Sequence, residues 1–92
     1  MRDDIKTFLE RAKSYYHRMN AEYTRDMKLS LAVADCIYNL RRIKISVAYR
    51  KTDQDLSGED KDAIREIRSL CETAEVIWAE LHDHSDTEDK LK

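Results

Sequence analysis

The 92-residue sequence contains no proline, one glycine and only two cysteines. Collagen-like, Pro/Gly-rich and disulfide-framework proteins need these residues in larger amounts, and the frequent turns of an all-β fold need them too. No stretch approaches the roughly 20 apolar residues of a membrane span. Charged residues make up 39% of the chain and hydrophobic residues 41%, a balance typical of amphipathic helices. The composition therefore predicts a single all-α domain.

The two cysteines, Cys36 and Cys71, lie in apolar-periodic stretches and lack CxxC spacing. We interpret them as reduced, buried side chains. Because no apolar run follows the acidic start of the chain, we expect no signal peptide. These features predict a cytoplasmic protein that does not enter a membrane.

Apolar residues at helical spacing predict helices at about residues 4–27, 29–50 and 57–82, within one domain covering residues 1–82. The second helix has a 4-3-4-3-4 rhythm typical of a helix–helix seam. That seam comprises Leu29, Val33, Cys36, Leu40, Ile43 and Val47. A further apolar set widens it: Ala34, Ile37, Tyr38, Ile45 and Ala48. A helix that is apolar over most of its circumference needs cover on several sides, so we expect the second helix at the centre of the fold.

Polar residues mark the other boundaries. Residues 52–56 predict a loop, and Ser57 followed by Asp60 is close to a capping box, in which the Ser57 hydroxyl accepts from the Asp60 amide. After Leu81 the apolar periodicity is lost. We therefore predict a flexible acidic tail at residues 83–92.

The connection between the first two helices is ambiguous, because no glycine or proline lies between Asn20 and Ser30. One alternative is a three-helix bundle with a bend near residues 24–30. The other is a continuous helix over residues 4–50, roughly 70 Å long at 1.5 Å per residue, with the third helix folded back as a hairpin that dimerises. The third helix could cover only half of such a helix. We expect a homodimer.

Charge is unevenly distributed along the chain. Residues 1–51 contain 12 Lys and Arg against 6 Asp and Glu, whereas residues 52–92 contain 5 against 13. Such halves can pair within one molecule, align two chains head to tail, or present a basic face to an acidic partner. Pairing within one molecule is the simplest interpretation.

Catalytic motifs are missing from the sequence: it has no Gly-rich phosphate loop, no HExxH and no informative Cys/His or Ser/His arrangement. We therefore predict no enzymatic activity and no cofactor. His82 and His84 are ligand types, but residues two apart on a helix point away from each other, so we predict no metal site. If Asp35, Asn39 and Arg42 are buried, they indicate either a catalytic carboxylate or polar groups that give specificity to a helix interface. We favour the alternative, that they form a strip facing water.

Amphipathic side chains on the first helix suggest a contact surface, since tyrosine and methionine are enriched where proteins meet. We predict a small non-enzymatic regulator, inhibitor or accessory subunit that acts by binding a protein partner. Its predicted contact residues are Tyr15, Tyr16, Met19 and Tyr23, with a basic rim of Arg41, Arg42 and Lys44. The alternative is a nucleic-acid-binding regulatory protein that uses the basic N-terminal half. Against it stand the interleaved acidic residues and a pI near 5.9.

Overall fold

The fold is a bundle of three helices. A computed structural model describes the backbone of residues 1–26 and 29–91 and the side chains of residues 1–25 and 29–83. Helix α1 covers Asp3–Asp26, α2 covers Leu31–Arg50 and α3 covers Gly58–Leu91, and the described ranges contain no strand. Each helix contacts the other two, so the chain forms the bundle rather than the long hairpin.

Helix α3 extends past residue 82, where loss of periodicity predicted its end. Its backbone is helical to Leu91, so flexibility of residues 83–92 stays a prediction. None of the helices, over the residues described, combines the length and apolarity needed to cross a bilayer.

A serine cap separates α1 from α2 without any glycine or proline. Ser30 has extended backbone angles (φ −140°, ψ 164°), and its Oγ accepts a hydrogen bond from the Val33 amide at 3.1 Å. This satisfies one of the amides that lack a partner at a helix start. Helix α1 ends at Asp26 and α2 begins at Leu31, so the break between them overlaps the predicted 24–30 window. The apolar repeat of the first helix reaches Met27 in the sequence, and this residue lies outside the described residues.

The predicted cap of α3 is confirmed. The Asp60 amide donates to Ser57 Oγ (3.1 Å) and the Ser57 amide donates back to Asp60 Oδ2 (3.0 Å). The Arg2 amide donates to the other carboxylate oxygen at 2.8 Å, which ties the start of α1 to the start of α3. Asp60 is 2% exposed, and the amides of Arg2 and Ser57 lower the pKa of its carboxyl.

Ion pairs fasten the same end of the bundle. The Arg2 guanidinium contacts Asp4 (3.0 Å), Asp53 (2.7 Å) and Asp55 (3.1 Å). Arg50, at the end of α2, donates to Asp4 at 2.8 Å. Desolvation acts to raise the pKa of Asp4, but hydrogen bonds from Arg50 and Arg2 outweigh it and lower the pKa. The starts of α1 and α3 and the end of α2 therefore meet at one polar cluster.

The core lies between the three helices, and the predicted α2 seam is largely confirmed. From α2 the buried residues are Val33, Cys36, Ile37, Leu40, Ile43 and Val47. From α1 and α3 they are Ile5, Leu9, Ala12, Met19, Ala63, Ile64, Ile67, Cys71, Ala74, Ile77 and Leu81. Since the buried residues of α2 share one side, α2 is not the central helix that we expected, and its outer side is left without cover.

Both cysteines are free and buried, as the sequence predicted. The Cys71 thiol donates to the Leu40 carbonyl at 3.4 Å. Burial raises the pKa of Cys71 to about 11 and also raises the pKa of Cys36. Neither thiol is therefore primed as a nucleophile at neutral pH.

Candidate interaction surface on the second helix

The side of α2 that points away from the core carries four large apolar side chains. Leu31 is 92% exposed, Tyr38 55%, Ile45 59% and Tyr49 77%. Leu31, Tyr38 and Ile45 are seven residues apart, which places them on one stripe of a helix with 3.6 residues per turn. Tyr49 follows Ile45 by one turn. We call these four residues the α2 outer face.

Tyr38, in the middle of the α2 outer face, is held in place by its neighbours. Its ring centroid lies 6.3 Å from that of Trp78 on α3, and the Arg41 guanidinium carbon lies 5.8 Å from the Tyr38 centroid. Arg41 in turn donates to both carboxylate oxygens of Glu75, at 2.6 and 3.0 Å. Tyr38 is therefore a pre-positioned aromatic group, which lowers the entropy lost on binding.

The ion pair between Arg41 and Glu75 shifts the pKa values of both side chains. The hydrogen bonds between Arg41 and Glu75 lower the pKa of Glu75 and raise that of Arg41. Trp78 also contacts His82 edge-on, with centroids 4.5 Å apart. The ring contacts therefore run from Tyr38 on α2 to Trp78 and His82 on α3.

The polar strip beside the α2 outer face is directed to water, as we favoured. Asp35 and Arg42 are exposed and Asn39 is half-buried. Asn39 Nδ2 donates to the Asp35 carbonyl at 2.8 Å and to Asp35 Oδ1 at 3.2 Å. No buried Asp35–Arg42 pair is formed, so this strip offers no desolvated carboxylate for acid–base chemistry.

The predicted contact residues on α1 are distributed over different sides of the bundle. Met19 is fully buried, so it forms core rather than accessible surface. Tyr15, Tyr16 and Tyr23 are half-buried and pack against the core. The Tyr23 hydroxyl donates to Glu80 on α3 at 2.7 Å, which raises the pKa of Tyr23.

Only one of the α1 tyrosines meets the predicted basic rim. Tyr15 and Arg42 share the wall of a cavity of about 200 Å³ between α1 and α2. Tyr23 is oriented towards α3 instead. Of the rim, Arg42 and Lys44 are exposed, whereas Arg41 is half-buried and engaged with Glu75.

Several ion pairs within the molecule join the basic half of the chain to the acidic half. Arg41 with Glu75 (2.6 Å), Lys13 with Glu66 (3.6 Å) and Arg2 with Asp53 each join the basic half to the acidic half. Such surface pairs contribute only about 0–1 kcal/mol each. They do reduce the number of cations available to a polyanion.

No group of three His, Cys, Asp or Glu suited to a metal ion occurs among the residues that the structure describes. The side chain of His84 is outside those residues. No known protein family, curated protein or solved structure matches the chain. The function of the α2 outer face is therefore inferred from its residues and their contacts alone.

The sequence predicted more apolar surface on α2 than its neighbours could cover, but the predicted contact residues did not include the α2 outer face, because α2 is apolar on nearly every side. The predicted seam already accounted for one side of the helix. Leu31, Tyr38 and Ile45 form a second seven-residue repeat opposite that seam, and this was the signal available in the sequence. The choice of the tyrosines on α1 followed residue type rather than this repeat.

Proposed function

We propose that the chain is a small, non-enzymatic helical interaction module, a regulator, inhibitor or accessory subunit, that acts by protein–protein binding through the α2 outer face. The observation that carries the proposal is the stripe of four large apolar side chains left uncovered by the bundle. Contiguous exposed apolar patches mark interaction sites in soluble proteins. The free, buried thiols suit a reducing compartment, so we place this activity in the cytoplasm.

The first partner that we propose is a second copy of the chain, paired antiparallel through α2. With the two-fold axis at Tyr38, Leu31 of each copy lies opposite Ile45 of the other, and Tyr38 meets its own equivalent. An isologous interface of this kind uses the same patch on both subunits. Apolar residues thus meet apolar residues from Leu31 to Ile45 of the stripe.

Charge favours the antiparallel over the parallel arrangement. In the antiparallel register, Asp35 of one copy lies about 1.5 Å along the axis from the level of Arg42 of the other, one residue of helical rise. A parallel pair would instead place the strips that carry Asp35 and Arg42 on opposite edges of the interface, and this attraction would be lost. Opposite charges beside an apolar seam set helix orientation.

Nucleic-acid binding is less well supported. Three arginines of the basic half, Arg2, Arg41 and Arg50, are engaged with carboxylates of the same molecule. On α1, the Tyr23 hydroxyl is bonded to Glu80, which makes this ring less accessible for stacking on bases.

Disulfide trapping tests the proposed pairing and its register. Under mild oxidation, Tyr38→Cys should form a covalent dimer by itself. A mixture of Leu31→Cys with Ile45→Cys should form the mixed disulfide in preference to either homodimer, since a disulfide needs Cα atoms within about 7 Å.

Val76→Cys is the matched control, because Val76 is a 58% exposed apolar residue on α3 rather than α2. Wild-type chain, whose two thiols are buried, controls for native cysteines. Cross-linking no faster at position 38 than at position 76 would overturn the proposed self-association.

A further inference from the structure

A basic groove lies between the end of α2 and the first half of α3. Two adjoining cavities of about 380 and 210 Å³ share Lys51, Ile64 and Arg68 in their walls. The cations around them are Lys44, Lys51, Lys61, Arg65 and Arg68. We call this feature the basic groove.

Carboxylates of the same molecule leave most of these cations unneutralised. Within the described residues, Lys51, Lys61 and Arg68 form no ion pair, whereas Arg65 is paired with Asp62 at 2.7 Å. No acidic residue lines either cavity. This contrasts with the ion-paired arginines at the start of α1 and the end of α2.

Between the cations, the walls of the groove are aliphatic. They are formed by Val47, Ala48, Leu56 and Ile64, and no aromatic ring lines either cavity. Single-stranded nucleic acid is held by stacking its bases on aromatic rings, which this groove lacks. Aliphatic walls between cations instead match a ligand that has both carboxylates and aliphatic side chains.

Dimensions suit a peptide. On α2, Lys44 and Lys51 are two turns apart, and on α3, Lys61 and Arg68 are likewise two turns apart, a span of about 10 Å in each case. That length accommodates two turns of a bound helix or three to four extended residues. The acidic residues after Leu81 begin about 20 Å further along the continuous helix α3 than Arg68, so they do not reach this groove in the same molecule.

We propose that the basic groove binds an acidic peptide segment of another protein, with an aliphatic side chain of that segment placed between the two rows of cations. This site is separate from the α2 outer face and does not depend on self-association. Charge complementarity supplies the attraction and the aliphatic wall supplies selectivity.

Fluorescence anisotropy with defined probes tests the proposal. The main probe is a short fluorescein-labelled peptide that alternates glutamate with leucine. The comparison probes are the same peptide with serine for leucine, the same peptide with glutamine for glutamate, and an oligothymidylate of equal charge. We expect the glutamate–leucine peptide to bind at least tenfold more tightly than each of the others.

The double variant Lys51→Glu/Arg68→Glu should weaken binding of the glutamate–leucine peptide at least tenfold, and Leu56→Ser should weaken it severalfold. The control Lys6→Glu/Arg18→Glu makes the same change in net charge at exposed positions on α1 and should bind as wild type. Helical circular dichroism and molecular mass, measured on every variant, separate loss of the groove from loss of folding or of self-association.

Three results would overturn the proposal. Equal binding of the serine peptide would mean that the groove attracts any polyanion. Tighter binding of the oligothymidylate would identify it as a nucleic-acid site. Equal loss of peptide binding in the Lys6→Glu/Arg18→Glu control would show that net charge, rather than the groove, is responsible.

Discussion

Two truncations on the same helix, Leu40→Ala and Ile45→Ala, should differ sharply in their effect on stability. Leu40 is fully buried, and Ile45 is 59% exposed on the opposite side of α2. Leu→Ala in a core costs about 2–5 kcal/mol, so we expect Leu40→Ala to lower the free energy of unfolding by about 3 kcal/mol. Ile45→Ala should change it by no more than about 0.5 kcal/mol, because alanine also has the higher helix propensity.

Urea denaturation followed by circular dichroism at low micromolar concentration measures this difference on the monomer. With an m-value of about 1–1.5 kcal/mol/M for a small domain, the midpoint of Leu40→Ala should fall by roughly 2–3 M. The midpoint of Ile45→Ala should stay close to wild type. Equal losses for the two variants would refute the conclusion that the bundle leaves this face of α2 uncovered.

The same Ile45→Ala variant should behave differently at high concentration. Burying the exposed part of this side chain against a second copy contributes about 1–1.5 kcal/mol per subunit, from about 0.8 kcal/mol per methylene. Two subunits give about 2–3 kcal/mol, or roughly a 30- to 150-fold rise in the dimer Kd. The thermal midpoint of wild type should therefore rise with protein concentration, and that of Ile45→Ala should rise much less.

Three further outcomes are expected. Sedimentation should show that Asp35→Arg and Arg42→Asp each weaken self-association about fivefold. The double variant should restore self-association, because the two charges are exchanged. Failure of the double variant to restore it would refute the antiparallel register. Folding lowers the pKa of the Asp60 carboxyl below its usual value of 3.8. The ionised carboxylate therefore stabilises the protein at pH values above 3.8, and this stabilisation is lost as the pH falls through the lower pKa of the folded state. Urea midpoints of wild type and Asp60→Asn should accordingly differ at pH 6 and converge at low pH; a constant difference would contradict the assignment. Cys71, buried and with its pKa raised to about 11, should react with a thiol reagent only as fast as the protein unfolds, and fast labelling in native buffer would contradict its burial.

The class of the fold and several details of the core were predictable from the sequence. The scarcity of glycine and proline and the 3.6-residue repeat predict helices, and the 4-3-4-3-4 rhythm identifies the side of α2 that is buried. The Ser57–Asp60 cap was visible because the two partners are local. The contact of Asp60 with the Arg2 amide was not, because it joins residues 58 positions apart.

The bend between α1 and α2 could not be predicted from periodicity, since the apolar repeat continues across it. The local feature that marks the start of α2 is a single hydrogen bond from the Val33 amide to Ser30 Oγ, and serine is also common at positions that are not caps. The burial of Met19 could not be predicted for a related reason. A helix that is apolar on nearly all sides does not reveal which stripe its neighbours will cover, and Met19 is buried by contacts made far away in the sequence.

Sedimentation equilibrium of the wild-type chain, at concentrations from about 10 µM to 1 mM, is the most direct test of the central claim that the α2 outer face is an interface between two copies. One helix stripe is smaller than the roughly 800 Å² per partner of a standard interface, so we expect weak self-association, with a Kd of about 100 µM. If two copies pair through this face, the mass should rise from 10.9 kDa towards twice that value as concentration increases. A mass that stays at 10.9 kDa throughout the range would contradict it.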